Sequence, residues 1–439
     1  MIDYSCLKGK RVSFVTLGCK LNFAETSTLA ELLISHGAVR SVKGERADIC
    51  IVNTCTVTSI ADSKCRQAIH RVIKENQGAI VAVTGCYAQL SPNSIESIDG
   101  VDIVVGAQNR GDLIDQICYH LNDTSEKQHG VSTEDSTSFF PSCSHGDRTR
   151  YFLKVQDGCN YFCTYCTIPM ARGRSRNGSI ASMVAQAQKV ADEGGREIVI
   201  TGVNIGDFGR TTGETFIDLI KELDQVGGIQ RYRISSIEPN LLTDEIIDFC
   251  AHSRAFMPHF HIPLQSGSDE VLRLMHRHYD TALFRQRIEH IRNVMPNAFI
   301  GVDVMTGTRG ETQEYFDRSY EFINSLDISQ LHVFTYSERP GTKALQIPYI
   351  VSATDRHIRT QRLLQLSDKK VHDFYSRHIG KTAYVLPEHT PAARRKMHGF
   401  TDNYIRVEIE NHPELAGAIV AVRLGQLNEK QDAICANLL

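Results

Sequence analysis

Through about the first 120 residues, short apolar runs alternate with stretches whose apolar positions recur every three or four residues. "RVSFVTL", "ADICIVNT", "AIVAVTG" and "VDIVVG" read as strands, and "ETSTLAELLISHG", "IADSKCRQAIHRVIKEN" and "RGDLIDQICYHL" as helices between or after them. That succession predicts an α/β domain over residues 1–122, with an open parallel sheet under covering helices. Residues 123–149 are polar and aperiodic and read as a linker. From residue 150 the alternation resumes, with strands at "YFLKVQ", "REIVITG", "YRISSIE", "HFHIPL", "AFIGVDVM" and "SQLHVFTY". Six β/α units are too few to close an eightfold barrel and suit a partial (β/α)6 barrel over 150–376, ended by the helix through "TDRHIRTQRLLQLSDKKVHDFYSRHIG". Residues 377–439 change character. "KTAYVLPEH", "NYIRVEIE" and "AGAIVAVRLGQL" predict a small OB-like β-barrel.

Composition adjusts this picture little. A chain of 439 residues exceeds what one core organises, and 41% hydrophobic with 23% charged residues is ordinary for a globular protein. The net charge of −3 supplies no global basic field, so any nucleic-acid contact must come from local patches. The opening "MIDYSCLKGKRVSF" has no apolar signal core, and no run is long enough to span a bilayer. With 13 cysteines, this predicts a cytoplasmic protein without membrane contact, whose cysteine clusters are metal ligands rather than disulfides.

Two cysteine sets stand out. "DGCNYFCTYCTIP" places Cys159, Cys163 and Cys166 within eight residues just after a strand. Thiolates suit zinc, copper(I) or iron–sulfur clusters. A cubane held by three cysteines keeps one iron open for a small molecule, whereas a zinc site would need a fourth ligand from elsewhere, such as His145. In "FVTLGCK", "CIVNTCT" and "VAVTGCY", Cys19, Cys55 and Cys86 each follow a strand, and in a parallel sheet those ends converge on one edge. By the same test Cys6, Cys50, Cys65, Cys118, Cys143, Cys250 and Cys435 read as structural or incidental.

Cys159-x3-Cys163-Thr164-Tyr165-Cys166 resembles the signature of radical S-adenosylmethionine enzymes, and the whole arrangement resembles the methylthiotransferase family. The resemblance implies two 4Fe–4S clusters, one held by Cys159, Cys163 and Cys166 and an auxiliary one by Cys19, Cys55 and Cys86. It also implies S-adenosylmethionine, both as methyl donor and as radical source, with Tyr165 at the cofactor. "TLGCKLNFAET", "NTCTVTSIADSKCRQAI", "HIPLQSGSDEVLRLMHRHY" and "SERPGTKA" resemble most the branch acting on N6-threonylcarbamoyladenosine in the tRNA anticodon stem-loop. Partners implied are an electron donor such as flavodoxin or ferredoxin and a sulfur source. Rival readings are the same reaction on N6-isopentenyladenosine, whose branch typically has Gln at Lys20, methylthiolation of a ribosomal-protein aspartate, and a zinc-stabilised RNA-binding protein. The family commonly reads Gly-Phe-Pro-Gly-Glu-Thr where this chain has "GTRGET", Gly307 to Thr312, and often proline at Thr335.

Supporting positions carry two readings each. Gly194 and Gly195 are either a contact to the cofactor's amino group or a helix stop. Ser236, Glu238 and Gln265 end barrel strands and either reach the cofactor or serve as an ion pair and a helix cap. His259, His261, His276 and His278 read as structural. Arg172, Arg174 and Arg176 in "ARGRSR", and Arg394, Arg395 and Lys396 on a loop of the last domain, are expected RNA contacts. That domain resembles the RNA-binding TRAM module, where Phe400 and Tyr404 can stack on unpaired bases, with Tyr404 and Ile405 as strand core the alternative.

Overall fold

The computed structural model describes residues 2–42, 44–122, 128–131, 138–146 and 149–439. Strands β1 (Arg11–Thr16), β2 (Ile49–Thr54), β3 (Ile80–Gly85) and β4 (Ile103–Gly106) pair in parallel, and two short edge strands make the sheet six-stranded. β2 is buried along its whole length because helices cover both faces, and its alternate residues enter different cores. Ile49 and Ile51 pack with Leu29, Leu33 and Ile117, while Cys50 and Val52 pack with Ile69, Val72 and Val83.

Helix α1 (Lys20–Ser35) starts before the expected "ETSTLAELLISHG". Its first turns bury polar residues, Asn22, Glu25, Thr26 and Ser27, against the next domain, so apolar periodicity does not mark them.

The second domain carries β5 (Arg150–Lys154), β6 (Glu197–Thr201) and β7 (Arg231–Ile234) in one parallel set. A second set comprises β8 (His259–Gln265), β9 (Phe299–Thr306) and β10 (Gln330–Thr335). Bridges between Tyr232 and Phe256 and between Ser236 and His261 join the sets into a partial barrel. Alternation has one consequence for everything that follows. Leu153, Ile198, Ile200, Tyr232, Ile234, Phe260, Ile262, Ile300, Val302 and Leu331 face the helices. The opposite positions, Lys154, Glu197, Arg231, Arg233, His261, Asp303 and His332, therefore face the lumen, which is polar. Part of the expected linker belongs to this domain: Ser142–Cys143 pairs antiparallel with β5, and Phe139 packs on the core.

After helix α2 (Ala353–Ser376), five strands close a barrel: β11 (Thr382–Pro387), β12 (Lys396–Thr401), β13 (Arg406–Glu410), β14 (Val420–Leu427) and β15 (Ile434–Leu438). The sequence pattern shows only three of these. Lys396 is consequently not on a loop; it opens β12 and its ammonium lies 2.6 Å from Glu410.

The small barrel is docked by two buried guanidiniums from the lumen. Arg231 donates to the carbonyls of Phe400 and Tyr384 at 3.1 and 2.9 Å, and Arg233 to those of Asp402 and Thr401 at 2.7 Å each. Glu197 holds Arg233 from the other side at 2.8 Å. Arg233→Met leaves Glu197 buried with only the more distant Arg231 and should cost about 3 kcal/mol. The expected readout is earlier melting and faster amide exchange in residues 382–438, with exchange in β1 to β4 unchanged.

Candidate active site

The first cysteine set gathers at the carboxyl edge of the N-terminal sheet. Thr54 and Gly85 are in register at the ends of β2 and β3, so Cys55 and Cys86 follow on neighbouring chains. Gly85 adopts φ +106°, and a Cβ there would fall 2.4 Å from the Thr54 carbonyl oxygen, so only glycine lets β3 turn directly into the short helix Cys86–Leu90. The Asn22 amide donates to the carbonyls of Leu17 and Thr54 at 2.7 and 3.0 Å and ties the Cys19 loop to the same edge.

The second set lies beyond β5. Gly158 has φ +70°, and a Cβ there would lie 2.0 Å from the Arg174 carbonyl oxygen; the loop crosses itself at that point. Between the cysteines, Thr164 donates through its backbone to Met275 (3.1 Å) and through its hydroxyl to Leu274 (2.8 Å). Arg277 then reaches in, donating to Cys163 Sγ at 3.0 Å and to the Tyr165 hydroxyl at 3.4 Å, and pairing with Glu238. Arg277 was not singled out in the sequence; the "HRHY" that contains it drew attention only to its histidines. His276 and His278 are exposed, and His278 stacks on Tyr161 with ring centroids 4.3 Å apart.

Neither cysteine set has the spacing of a lone tetrahedral ion. A zinc tetrahedron brings thiolates within about 3.8 Å of each other. Among the described residues the three-ligand group with atoms within 4.8 Å is Glu31, His145 and Glu193, and neither cysteine set is that tight. His145 is held there by Glu193 at 2.9 Å, so it is not the fourth ligand of a cysteine site. Burial pushes the thiols of Cys55, Cys159 and Cys166 up to about 12 and raises those of Cys86 and Cys163. Metal binding must therefore displace protons, as for any buried thiolate site.

A buried ionic network stands between the sets. Glu25 lies 2.7 Å from both Arg110 and Lys154 and 3.0 Å from Arg172, while Asp157 lies 2.7 to 3.2 Å from Lys154, Arg172 and Arg176. Four cations thus face two carboxylates, and the excess positive charge lies beside Cys86, whose neighbours include Arg172 and Arg110. That imbalance suits a site that acquires thiolates. Arg172 and Arg176, expected to contact RNA, are inside this network at 2% and 4% exposure and present nothing to a phosphate. Arg174 points outward instead, over the Phe162 ring at 4.5 Å. Arg394 and Arg395 are exposed.

The cofactor candidates separate as well. Gly194 and Gly195 end the helix Ile180–Asp192, their amides donating to Ala191 and Val190, and they precede the amino end of β6, away from the cysteines; they are a helix stop. Ser236 and Gln265 follow strand ends on the cysteine side. Gln265 has φ +66°, and its buried amide oxygen has no hydrogen-bond partner. Ser235, Asn204 and Asp207 also have buried polar atoms without partners there, and Tyr161 receives a hydrogen bond from Asn240 at 2.7 Å. Such orphans at the carboxyl ends of strands mark where a polar ligand would sit. Asn204 and Asp207 were legible only as part of "ITGVNIGDFG".

A family model described as the Radical SAM superfamily matches residues 153–323, and one described as Uncharacterized protein family UPF0004 matches residues 11–106. The Bacillus subtilis protein named "Threonylcarbamoyladenosine tRNA methylthiotransferase MtaB" is 38% identical over 94% of this chain and 93% of its own length. Its namesake in Thermotoga maritima is 33% identical over 97% of each chain. A "tRNA-2-methylthio-N(6)-dimethylallyladenosine synthase" of Desulfitobacterium hafniense is 30% identical over 95% of this chain and 96% of its own. Among solved structures, the radical S-adenosylmethionine methyltransferase TsrM from Kitasatospora setae shares the fold, with TM-score 0.58, 14% identity, and coverage of 76% of this chain and 74% of that one.

The network makes an acid-stability prediction. Three of its four cations, Arg110, Arg172 and Lys154, hold the Glu25 carboxyl down to about 2, against an unfolded value of 4.5. Its stabilisation is complete above the unfolded value and is lost as pH falls toward the folded one. Wild-type protein should lose about 3 kcal/mol across that window. Glu25→Gln should melt earlier at neutral pH and lack that part of the acid decline in calorimetry.

Proposed function

The chain belongs to the radical S-adenosylmethionine methylthiotransferase family, and from that membership we propose that it methylthiolates C2 of N6-threonylcarbamoyladenosine 3′ of the tRNA anticodon. The observation that carries the reading is the opposition of two three-thiol sites, each wider than a zinc site. The helix bearing Cys86 packs on Ala171, just past Cys166. Residues Cys19, Cys55 and Cys86 would hold one 4Fe–4S cluster and Cys159, Cys163 and Cys166 the other. When bound, the second cluster supplies the electron that cleaves S-adenosylmethionine for hydrogen abstraction, and the first supplies sulfur.

The chain's own part is placement and exclusion of water. Tyr165, Ser236, Gln265, Asn204 and Asp207 line the strand ends where the sulfonium cofactor would bind. Glu238 is held by Arg277, which also touches Cys163, so one guanidinium couples the cofactor rim to a cluster ligand. The polar lumen below takes the base. The exposed Arg394 and Arg395 offer phosphate contacts beside the small barrel. A flavodoxin- or ferredoxin-like donor would provide electrons, and a separate sulfur source would reload the first site. No helix among the described residues is long and apolar enough to cross a membrane. Action on tRNA would place the protein in the cytoplasm. Relatives acting on the dimethylallyl base supply the second reading, at lower identity.

Mass spectrometry of tRNA nucleosides from a host lacking the gene should show 2-methylthio-N6-threonylcarbamoyladenosine only on restoration; the isopentenyl counterpart would instead establish the second reading. Anaerobically reconstituted protein should carry about eight irons, and Cys55→Ala about four. That variant should still cleave S-adenosylmethionine reductively while forming no methylthio product. Replacing Arg394 and Arg395 by Ala should weaken tRNA binding about equally across sequences and lower the salt slope by about two.

A further inference from the structure

The inner faces of the barrel strands carry far more charge than docking requires, and one cation there is unspent. Arg150 pairs with Glu388 at 2.8 Å and donates to the Tyr404 hydroxyl at 3.2 Å. Arg231 and Arg233 are consumed by backbone carbonyls and Glu197, and Lys154 by Glu25 and Asp157. His261 is fixed by Asp303 at 2.6 Å and stacks on His332 at 4.8 Å. Lys20, in the first turn of α1 and next to Cys19, projects among these groups, with Tyr404, Arg150, Arg233, Asp303, His259 and His332 as its electrostatic neighbours. Among the described residues its ammonium makes no hydrogen bond or ion pair. His259, 7% exposed and with its ring tilted against Tyr404 at 4.2 Å between centroids, has a ring nitrogen without a partner in the same place.

The one carboxylate among its neighbours, Asp303, is already paired with His261, so for an unpaired cation beside two arginines a further anion is the natural complement. Adenine supplies the geometry. C2 and C6 flank N1 and their outward bonds diverge, so a base presenting C2 to the thiol sites at the carboxyl ends of the strands turns its N6 substituent aside from them, into the lumen that Lys20 enters from its place next to Cys19. There it meets Lys20, Tyr404 and the histidines. A threonylcarbamoyl substituent ends in a carboxylate and a hydroxyl; an isopentenyl one ends in methyl groups.

We propose that Lys20 is a specificity-determining residue that binds the carboxylate of the substrate's N6 substituent, with the Tyr404 hydroxyl and the free His259 nitrogen completing a polar floor. The proposal rests on the threonylcarbamoyladenosine reading. It also accounts for why α1 begins early: the extra turn carries Lys20 into the lumen.

The test is equilibrium binding of two synthetic anticodon stem-loops, one with N6-threonylcarbamoyladenosine and one with its methyl ester. Wild-type protein should bind the free carboxylate about tenfold more tightly, the worth of one charge-assisted hydrogen bond. Lys20→Met should bind both forms with the affinity wild type shows for the ester, and Lys20→Arg should keep the preference. Equal binding of the two forms by wild type overturns the proposal without any variant, as does a preference that survives in Lys20→Met at unchanged iron content. If wild type forms the methylthio product from the threonylcarbamoyl base yet binds both stem-loops equally, the inference falls and the functional reading stands. If it modifies only the isopentenyl base and shows no carboxylate preference, both fall.

Discussion

The Glu25 carboxylate is the joint on which the molecule turns. It arises from α1 of the N-terminal domain, is fully buried, and is shared by Arg110 of its own domain and by Lys154 and Arg172 of the barrel. Buried charge is costly unless neutralised, so the two domains can approach only in the relative position that completes the set. That position brings the short helix after β3 against the helix that follows Cys166. The separation of the two thiol sites is thus set by ionic bonding together with two small apolar contacts, Phe23 and Ala24 on Phe152 and Val199, and Cys86 and Leu90 on Ala171. The surplus positive charge has the right sign to offset thiolates, so the network is better balanced when both sites are loaded.

A second consequence concerns the barrel. Its helices cover an ordinary apolar layer, while its inner face carries Arg, Glu, His, Asp and Lys beside Phe152 and Val199, which pack on Phe23 and Ala24 of α1. Part of that charge is consumed in seating the C-terminal strands across the amino ends of β7 to β9. The small barrel is in this sense a plug, since Tyr404 and Phe400, read from sequence as base-stacking residues, are engaged by Arg150. Any RNA contact made by this domain falls instead to its rim, where Arg394 and Arg395 lie.

Much of this was legible. The strands of both parallel sheets stand in the sequence as period-two or continuous apolar runs, and the six cysteines fall where those runs end. What escaped did so for identifiable reasons. The first turn of α1 buries polar side chains, so hydrophobic periodicity begins late. β12 holds "KMHGFT", too polar to read as a strand. Arg172 and Arg176 look like a basic patch because a sequence shows charges but not their carboxylate partners, which here lie at Glu25 and Asp157. Arg277 carries no motif of its own. The departures in Gly307 to Thr312 and at Thr335 have local explanations: Arg309 bonds Glu338 and the Leu345 carbonyl, and Thr335 bonds Thr360 of α2.

The distribution of backbone strain completes the argument. Among the described residues, three of the five non-glycines with positive φ, Phe162, Gln265 and His276, surround the second thiol set. Each such conformation costs about 1 to 3 kcal/mol and persists only where neighbours over-determine it. Here they do. Thr164 is tied to Leu274 and Met275, the Ala344 amide donates to Thr164, and Tyr279 donates to the carbonyls of Pro263 and Leu264 just before Gln265. The loop bearing Cys159, Cys163 and Cys166 is therefore held by protein contacts alone. The first set is tied at its strand ends by the Asn22 amide, by Arg339, which donates to the Thr56 hydroxyl, and by Cys55 N donating to Cys65 Sγ, but Cys19 is exposed. A site that holds a cofactor for repeated electron delivery gains from rigidity, and one that must admit and release sulfur gains from an exposed thiol.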